Sequence, residues 1–241
     1  MTWTPTSSSA ARSKARTARA RRQRDRPRWQ QTILDYIRPS GSAPAFSWIL
    51  IGVVVVLWLA SIFTADGVFR LLAVDPSTAW QPWRYVTAAV AYPTSAVLSV
   101  LLGLVFFALF APSFEAQVGR RVFLWVFTAS SVAAMALAVL AGAPAYGISA
   151  GFFGVLGAYL VKVWAIPQAR IQLLIIVGIN LLITLLFSGS FVAIVVGVLA
   201  GAGVMILLTR HEPPRARPAY AIVVGGAAVL IVLAIVRWAV A

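Results

Sequence analysis

Long apolar segments with almost no charge recur along most of the chain. They cover residues 46–64, 95–111, 121–141, 149–164, 171–187, 190–208 and 219–239. Most are close to the length of about 20 residues that a helix needs to cross a bilayer core of about 30 Å. A helix also satisfies its backbone hydrogen bonds within one segment, which lipid requires. The pattern therefore predicts an all-α fold, a polytopic membrane bundle of seven crossing helices.

Polar stretches divide the chain into four predicted parts. Residues 1–45 carry half of the twenty basic residues, and we expect a basic disordered cytoplasmic tail that ends in a short interfacial helix. Residues 46–208 form the six-helix membrane domain. The proline-rich residues 209–218 form a cytoplasmic linker to a seventh transmembrane helix at 219–241.

Positive charge predicts how the helices are oriented. Basic residues fall on alternate loops, namely the tail, Arg120 with Arg121, Lys162 with Arg170, and 209–218. Because such loops face the cytoplasm, we expect the N-terminus inside and the C-terminus outside. The usage of Ala, Arg and Val is typical of a GC-rich bacterial genome, so a bacterial plasma membrane is expected.

The basic tail predicts a lipid partner. Each basic residue near an anionic membrane surface contributes about 1 kcal/mol of attraction. Nucleic-acid binding is the less favoured alternative, because no folded recognition module accompanies the charges. The chain has no cysteine and a single histidine, His211. Disulfides, a cysteine nucleophile and a multi-histidine metal site are therefore excluded, and we expect no cofactor.

Two further patterns predict how the helices are arranged. Small residues recur on one stripe of the fourth apolar segment (Gly147, Gly151, Gly154, Ala158) and on one stripe of the sixth (Ala193, Gly197, Gly201). Such stripes let helices approach closely in lipid, so the two are predicted to pair. The 65–94 segment is rich in rings and prolines (Trp80, Pro82, Trp83, Tyr85, Tyr92, Pro93), which is typical of an element in the outer headgroup layer.

Four short motifs, in order along the chain, resemble those of the rhomboid family of intramembrane serine proteases. They are Trp83-Arg84, Ala111-Pro112-Ser-Phe-Glu115 with Gly119, Gly147-Ile-Ser149-Ala150-Gly151-Phe-Phe153-Gly154, and Gly197 with Gly201. The resemblance covers about residues 80–205 and implies a six-plus-one helix layout. We expect Trp83 and Arg84 to anchor the interfacial element, and Glu115 to bind backbone amides in a cytoplasmic turn.

The resemblance also assigns a site in which most of the catalytic positions have changed. Ser149 is the candidate nucleophile. The family histidine aligns with Ser190, and the histidine and asparagine that hold the oxyanion align with Ser99 and Gly103. A serine hydroxyl is a weak nucleophile without a neighbouring base, and Ser190 cannot be that base.

Neither of the remaining candidate bases lies within reach of Ser149. His211 lies about twenty helical residues beyond Ser190, or about 30 Å along the axis. Lys162 lies more than three turns further along the helix that Ser149 begins. Ser149 also has a structural interpretation, as a helix N-cap or as a small residue at a tight helix crossing.

Three functions remain open, and we rank them in order. The first is a proteolytically inactive rhomboid-like protein, a pseudoprotease that binds transmembrane segments of client proteins. The second is an active intramembrane serine protease with Ser149 as nucleophile and a non-standard base. The third is a structural subunit of a membrane complex.

Overall fold

A computed structural model describes residues 44–187, 191–210 and 217–240, with only the backbone described at 183–187, 191–193, 210 and 217–220. Most of the predicted tail, most of the linker, His211 and Ser190 lie outside the described residues. Turns, short 3₁₀ segments and an isolated β-bridge between Val74 and Ala145 connect the helices. The helices are α1 (Ala45–Phe63), α2 (Gly67–Leu72), α3 (Arg84–Thr87), α4 (Val97–Val118), α5 (Arg120–Leu140), α6 (Ser149–Val163), α7 (Pro167–Phe187), α8 (Phe191–Arg210) and α9 (Arg217–Val240).

The helical fold predicted from the apolar segments is confirmed. In the described part of the chain, four helices are long and apolar enough to cross a membrane: α1, α4, α5 and the Ala221–Val240 part of α9. Shorter apolar helices are described at Ser149–Val163, Pro167–Leu182 and Ile194–Thr209. The protein is therefore a multi-pass membrane protein.

Helix α6 lies at the centre of the bundle and packs on both α5 and α8, which also pack on each other. Residues 150–158 of α6 are all buried. An aromatic cluster fills the space between α4, α5 and α6, where the Phe107 ring meets Phe123, Phe127 and Phe152 edge-on at centroid distances of 5.8–6.4 Å. Edge-to-face ring pairs add stabilisation beyond the apolar area that they bury.

Glycines allow α6 and α8 to touch along their backbones, as the small-residue stripes predict. A Cβ atom added at Gly197 would lie 2.6 Å from the Ala150 carbonyl oxygen, and one added at Gly201 would overlap the Gly154 carbonyl. The predicted stripe is only partly right, however. A Cβ at Gly151 would overlap Phe127 of α5, and Gly147 precedes the helix and contacts Tyr92.

Helix α4 is longer than the sequence predicts. The helix continues through Pro112 to Val118, so Glu115 lies on a helix and not in a turn. The chain turns at Gly119, where φ is +84°. Proline is tolerated inside membrane helices because neighbouring groups satisfy the backbone carbonyl that it leaves free.

Helix α9 packs mainly on α5 and only lightly on α8. At one end, a Cβ added at Gly142, just after α5, would lie 4.0 Å from the Arg237 guanidinium. The last turn of α9 therefore lies beside the end of α5. Helix α7 packs chiefly on α6 and touches α8 little, although α7 and α8 are neighbours in the sequence.

Candidate functional site

Ser149 is the first residue of α6, and the turn before it is fixed by backbone geometry. Gly147 has a φ of +93°, which residues with a side chain rarely adopt. The Gly147 N–H donates to the Ala88 carbonyl at 2.7 Å. The N-cap residue is Ile148, and no side chain caps this helix end. The prediction that Ser149 is an N-cap is therefore wrong.

Helix α6 is too short to connect both membrane surfaces. Its 15 residues extend about 22 Å at 1.5 Å per residue, whereas the hydrocarbon core is about 30 Å thick. At least one end of α6 therefore lies below the surface of that layer. The Ser149 side chain, at the N-terminal end, is half-buried.

Tyr92 contacts the two residues that precede Ser149, Gly147 and Ile148. The Ile148 N–H donates to the Tyr92 hydroxyl at 3.1 Å, so the phenol holds the amide immediately before the serine. A Cβ at Gly147 would lie 2.9 Å from the Tyr92 ring, and one at Gly103 would lie 3.2 Å from its hydroxyl oxygen. Tyr92 thus fills the space between α4 and the start of α6.

The phenol of Tyr92 cannot accept a proton from Ser149 at neutral pH. Only 5% of the side chain is exposed. Burial raises the pKa of Tyr92 to about 12, because the charged phenolate loses hydration. A group that stays protonated at pH 7 is not a general base.

The register of α8 against α6 shows which described residue comes opposite Ser149. Gly197 lies against Ala150, the residue after the serine, and Gly201 lies against Gly154. Ile194 precedes Gly197 by about one turn on the same side of α8. It therefore lies within about one turn of the depth of Ser149, and its side chain is 1% exposed. Ser190 lies outside the described residues, so its placement opposite Ser149 stays a prediction.

Ser99 and Gly103, the positions of α4 that align with the family's histidine and asparagine, have different surroundings. Ser99 is exposed, whereas Gly103 faces Tyr92 and Ile148. Only Gly103 is therefore placed beside the serine. Glycine carries no side-chain donor, so this position adds nothing that could hold an oxyanion.

Lys162 lies in the last turn of α6, at the end opposite Ser149. Its ammonium donates to the Gln117 carbonyl, at 3.0 Å, in the last turn of α4. The Gln117 side chain in turn donates to the Tyr159 hydroxyl at 2.9 Å. Lys162 thus joins α6 to α4, more than three turns from Ser149. The other basic candidate, His211, lies outside the described residues.

Arg84 holds together the segment between α1 and α4, and its neighbour Trp83 is exposed. The Arg84 guanidinium donates to the Arg70 and Ala73 carbonyls at 2.6 and 2.7 Å, and to the Gln81 side chain at 2.6 Å. These bonds tie α2 to α3. The Trp83 ring is 54% exposed, which fits a ring at a membrane interface. Tyr85 and Tyr92 of the same segment are buried, unlike the interfacial rings that their composition predicts.

Glu115 is fully buried and binds the beginning of α1. Its carboxylate accepts hydrogen bonds from the Phe46 and Ser47 N–H groups, at 3.0 and 2.8 Å, and from the Ser47 hydroxyl at 2.7 Å. These amides belong to the first turn of α1, where the N–H groups have no carbonyl acceptor within the helix. The prediction that Glu115 binds backbone amides is confirmed.

Comparison with known proteins adds one match. The rhomboid domain family matches residues 79–211, which is more than half of the 241-residue chain and includes the second half of the 65–94 segment, Glu115, Ser149 and the α8 glycines. The chain belongs to the rhomboid family. No curated protein matches it.

Two residues at this rhomboid site, Tyr92 and Ile194, could not be singled out from the sequence. Tyr92 is one of several rings in an interfacial segment, and Ile194 is one of many apolar residues in α8. The signal for Ile194 is its spacing of three from Gly197, because the paired glycines fix the register. No comparable signal exists for Tyr92, since it depends on how the 65–94 segment folds back onto α6.

Proposed function

We propose that this rhomboid-family protein is proteolytically inactive and binds transmembrane segments of client proteins. The observation that carries the proposal is the surroundings of Ser149. In the described part of the chain, the side chains placed near this end of α6 include the protonated phenol of Tyr92, the apolar Ile194 and the Ser131 hydroxyl, which donates to the Phe127 carbonyl, and none of these three is a base.

The missing base has a large kinetic consequence. Removing the base of a serine catalytic unit costs about 10⁶-fold in turnover, and the remaining members recover little of it. An absent oxyanion donor costs a further 10²–10³-fold, approximately. Ser190, the position that the family motif assigns to the histidine, is a second hydroxyl and supplies no base either.

The rest of the bundle retains the features that a membrane receptor needs. The close packing of α6 on α8, the Glu115 contact with α1 and the Arg84 anchor all persist without a working catalytic group. Binding between membrane helices requires packing and hydrogen bonds, and no chemistry. A bundle of this kind can therefore recognise another apolar helix without cleaving it.

The proposal also includes the membrane in which the protein resides and the lipids that its basic tail contacts. We place the protein in a bacterial plasma membrane with its N-terminus in the cytoplasm. The basic tail, which lies outside the described residues, then faces the anionic inner surface and is attracted to it.

Purified protein in lipid vesicles, mixed with single-span transmembrane peptides, tests the proposal. Two measurements run in parallel: peptide cleavage, followed by mass spectrometry, and association, followed by energy transfer between dyes on the two partners. A serine-reactive fluorophosphonate is applied to the same samples. Ser149→Ala is the matched control, because it removes only the hydroxyl.

The expected result is association of at least one peptide, equal in the natural protein and in Ser149→Ala, with no cleavage and no labelling. Cleavage or labelling that disappears in Ser149→Ala would refute inactivity and favour the protease. Absence of association with every peptide, together with absence of cleavage, would refute the client-binding part.

A further inference from the structure

We propose that Tyr92 is a plug that closes the pocket beside Ser149, independently of the missing base. The inference rests on the proposed function, because it supposes that Ser149 is inactive. It adds a steric reason for this inactivity, beside the absence of a base. It concerns the space that a substrate carbonyl would have to enter.

The amide before the serine is already occupied. An oxyanion site needs donor N–H groups aimed at the position where the charge develops. The Ile148 N–H, one residue before the N–H of Ser149 itself, donates to the Tyr92 hydroxyl at 3.1 Å. A carbonyl oxygen can use this donor only if the phenol leaves it.

The space around that amide is filled as well. A Cβ atom added at Gly103 would lie 3.2 Å from the Tyr92 hydroxyl oxygen, and one added at Gly147 would lie 2.9 Å from the Tyr92 ring. Either a larger residue at 103 or the phenol can occupy this volume, but not both. The absence of a side chain at Gly103 is what admits Tyr92.

Neighbouring rings hold the phenol in place. The Tyr146 ring packs edge-on against Tyr92 at a centroid distance of 6.5 Å, and Phe69 of α2 packs on Tyr146 at 5.2 Å. Tyr92 is followed by Pro93, and the next residue, Thr94, is tied to Asp66 by its N–H at 2.8 Å and its hydroxyl at 3.1 Å. The plug is therefore fixed to the turn after α1, as well as to α6.

Because the chain has no cysteine, Ser149→Cys provides a single thiol at the site. The rate at which a small water-soluble maleimide alkylates this thiol reports access to position 149. The rate is measured in the full-length protein with Tyr92 present, with Tyr92→Ala, and with Tyr92→Leu. The leucine variant keeps an apolar side chain in case the alanine variant does not fold, and it does not reach Gly103.

Tyr159→Ala is the control. The Tyr159 hydroxyl also accepts a hydrogen bond, from the Gln117 side chain, but toward the opposite end of α6. We expect slow alkylation with Tyr92 present, an increase of about tenfold or more in the Tyr92 variants, because thiol reaction rates follow access, and no change in Tyr159→Ala.

Rapid alkylation with Tyr92 in place would show an open site and overturn the inference. An unchanged rate in a folded Tyr92→Leu variant would overturn it as well. Neither result depends on hydrolysis. A failure of the plug is therefore distinguishable from a failure of the proposed inactivity, which is read from Ser149-dependent cleavage by the natural protein.

Discussion

At the scale of single residues, Glu115 contributes more to the fold than its position in the sequence suggests. A buried carboxylate is costly unless hydrogen bonds compensate for its lost hydration. Here three donors surround it, two of them amides of the first turn of α1. Glu115 therefore acts as an N-cap supplied by another helix, in place of a local Ser, Thr, Asp or Asn.

Replacing Glu115 by alanine should destabilise the protein markedly. Glu115→Ala leaves the Phe46 and Ser47 amides without an acceptor, and we expect a loss of about 2–3 kcal/mol. Ser47→Ala removes only one of the three donors and should cost about 1 kcal/mol. The free energy of unfolding in mixed detergent micelles, titrated with a denaturing detergent, measures both. Equal losses in the two variants would contradict the capping role.

At the scale of helices, the crossing of α6 and α8 determines which residues can meet at the site. The backbones touch at Gly154 and Gly201, so the register between the two helices is fixed. A one-turn slip would bring a different residue of α8 opposite Ser149. The contact between α6 and α8 is the most extensive helix contact in the bundle. Its register also determines which side chains of α8 lie near Ser149.

Two alanine substitutions on the same helix test this crossing. A Cβ at Gly201 would overlap the Gly154 carbonyl, whereas a Cβ at Gly203 would meet nothing within 4 Å. We expect Gly201→Ala to cost about 1–3 kcal/mol, as overpacking does, and Gly203→Ala to be neutral or to stabilise by up to about 1 kcal/mol, because alanine favours a helix over glycine. Thermal unfolding in detergent, followed by circular dichroism, compares them. Tolerance of both substitutions would mean that the helices do not touch at Gly201.

At the scale of the whole molecule, the alternation of basic loops predicts a cytoplasmic N-terminus and an outer Ser149 end. The turn after α5 carries no basic residue, whereas Lys162, Arg170, Arg120 and Arg121 cluster at the other ends of the helices. Long helices with such an asymmetry insert with the basic ends inside.

Single cysteines in the cysteine-free chain test the orientation. Ala143 follows α5 and Ala165 follows α6, and both are exposed. A membrane-impermeant maleimide applied to intact cells should label Ala143→Cys, and should label Ala165→Cys only after lysis. The reverse pattern would place the Ser149 end in the cytoplasm.

The sequence was sufficient for the parts of the fold that depend on local pattern. Apolar length predicts the crossing helices, and the spacing of Gly197 and Gly201 predicts the partner of α6. The boundary of α4 was wrong because proline normally ends a helix in water but is tolerated in a membrane bundle. The N-cap assignment of Ser149 was wrong because Gly147, at positive φ, sets the turn one residue earlier.

The candidate site was harder to predict because its contacts come from distant parts of the chain. Tyr92 reaches Ile148 across 56 residues, through a segment whose path has no repeating pattern. Ile194 can be assigned to the site only when the register of α8 against α6 is known. Sequence motifs identify the position of the serine, while tertiary packing decides what surrounds it.

The bond between Glu115 and α1 has a consequence for how the protein is made. The acceptor is synthesised 68–69 residues after the donors, so α1 leaves the ribosome and enters the translocon with its first-turn amides unpaired. These amides gain their acceptor only when α4 has been synthesised and packs against α1. A nascent chain arrested before residue 115 therefore lacks the carboxylate that α1 binds, and the Phe46 and Ser47 amides stay without this partner until α4 is made.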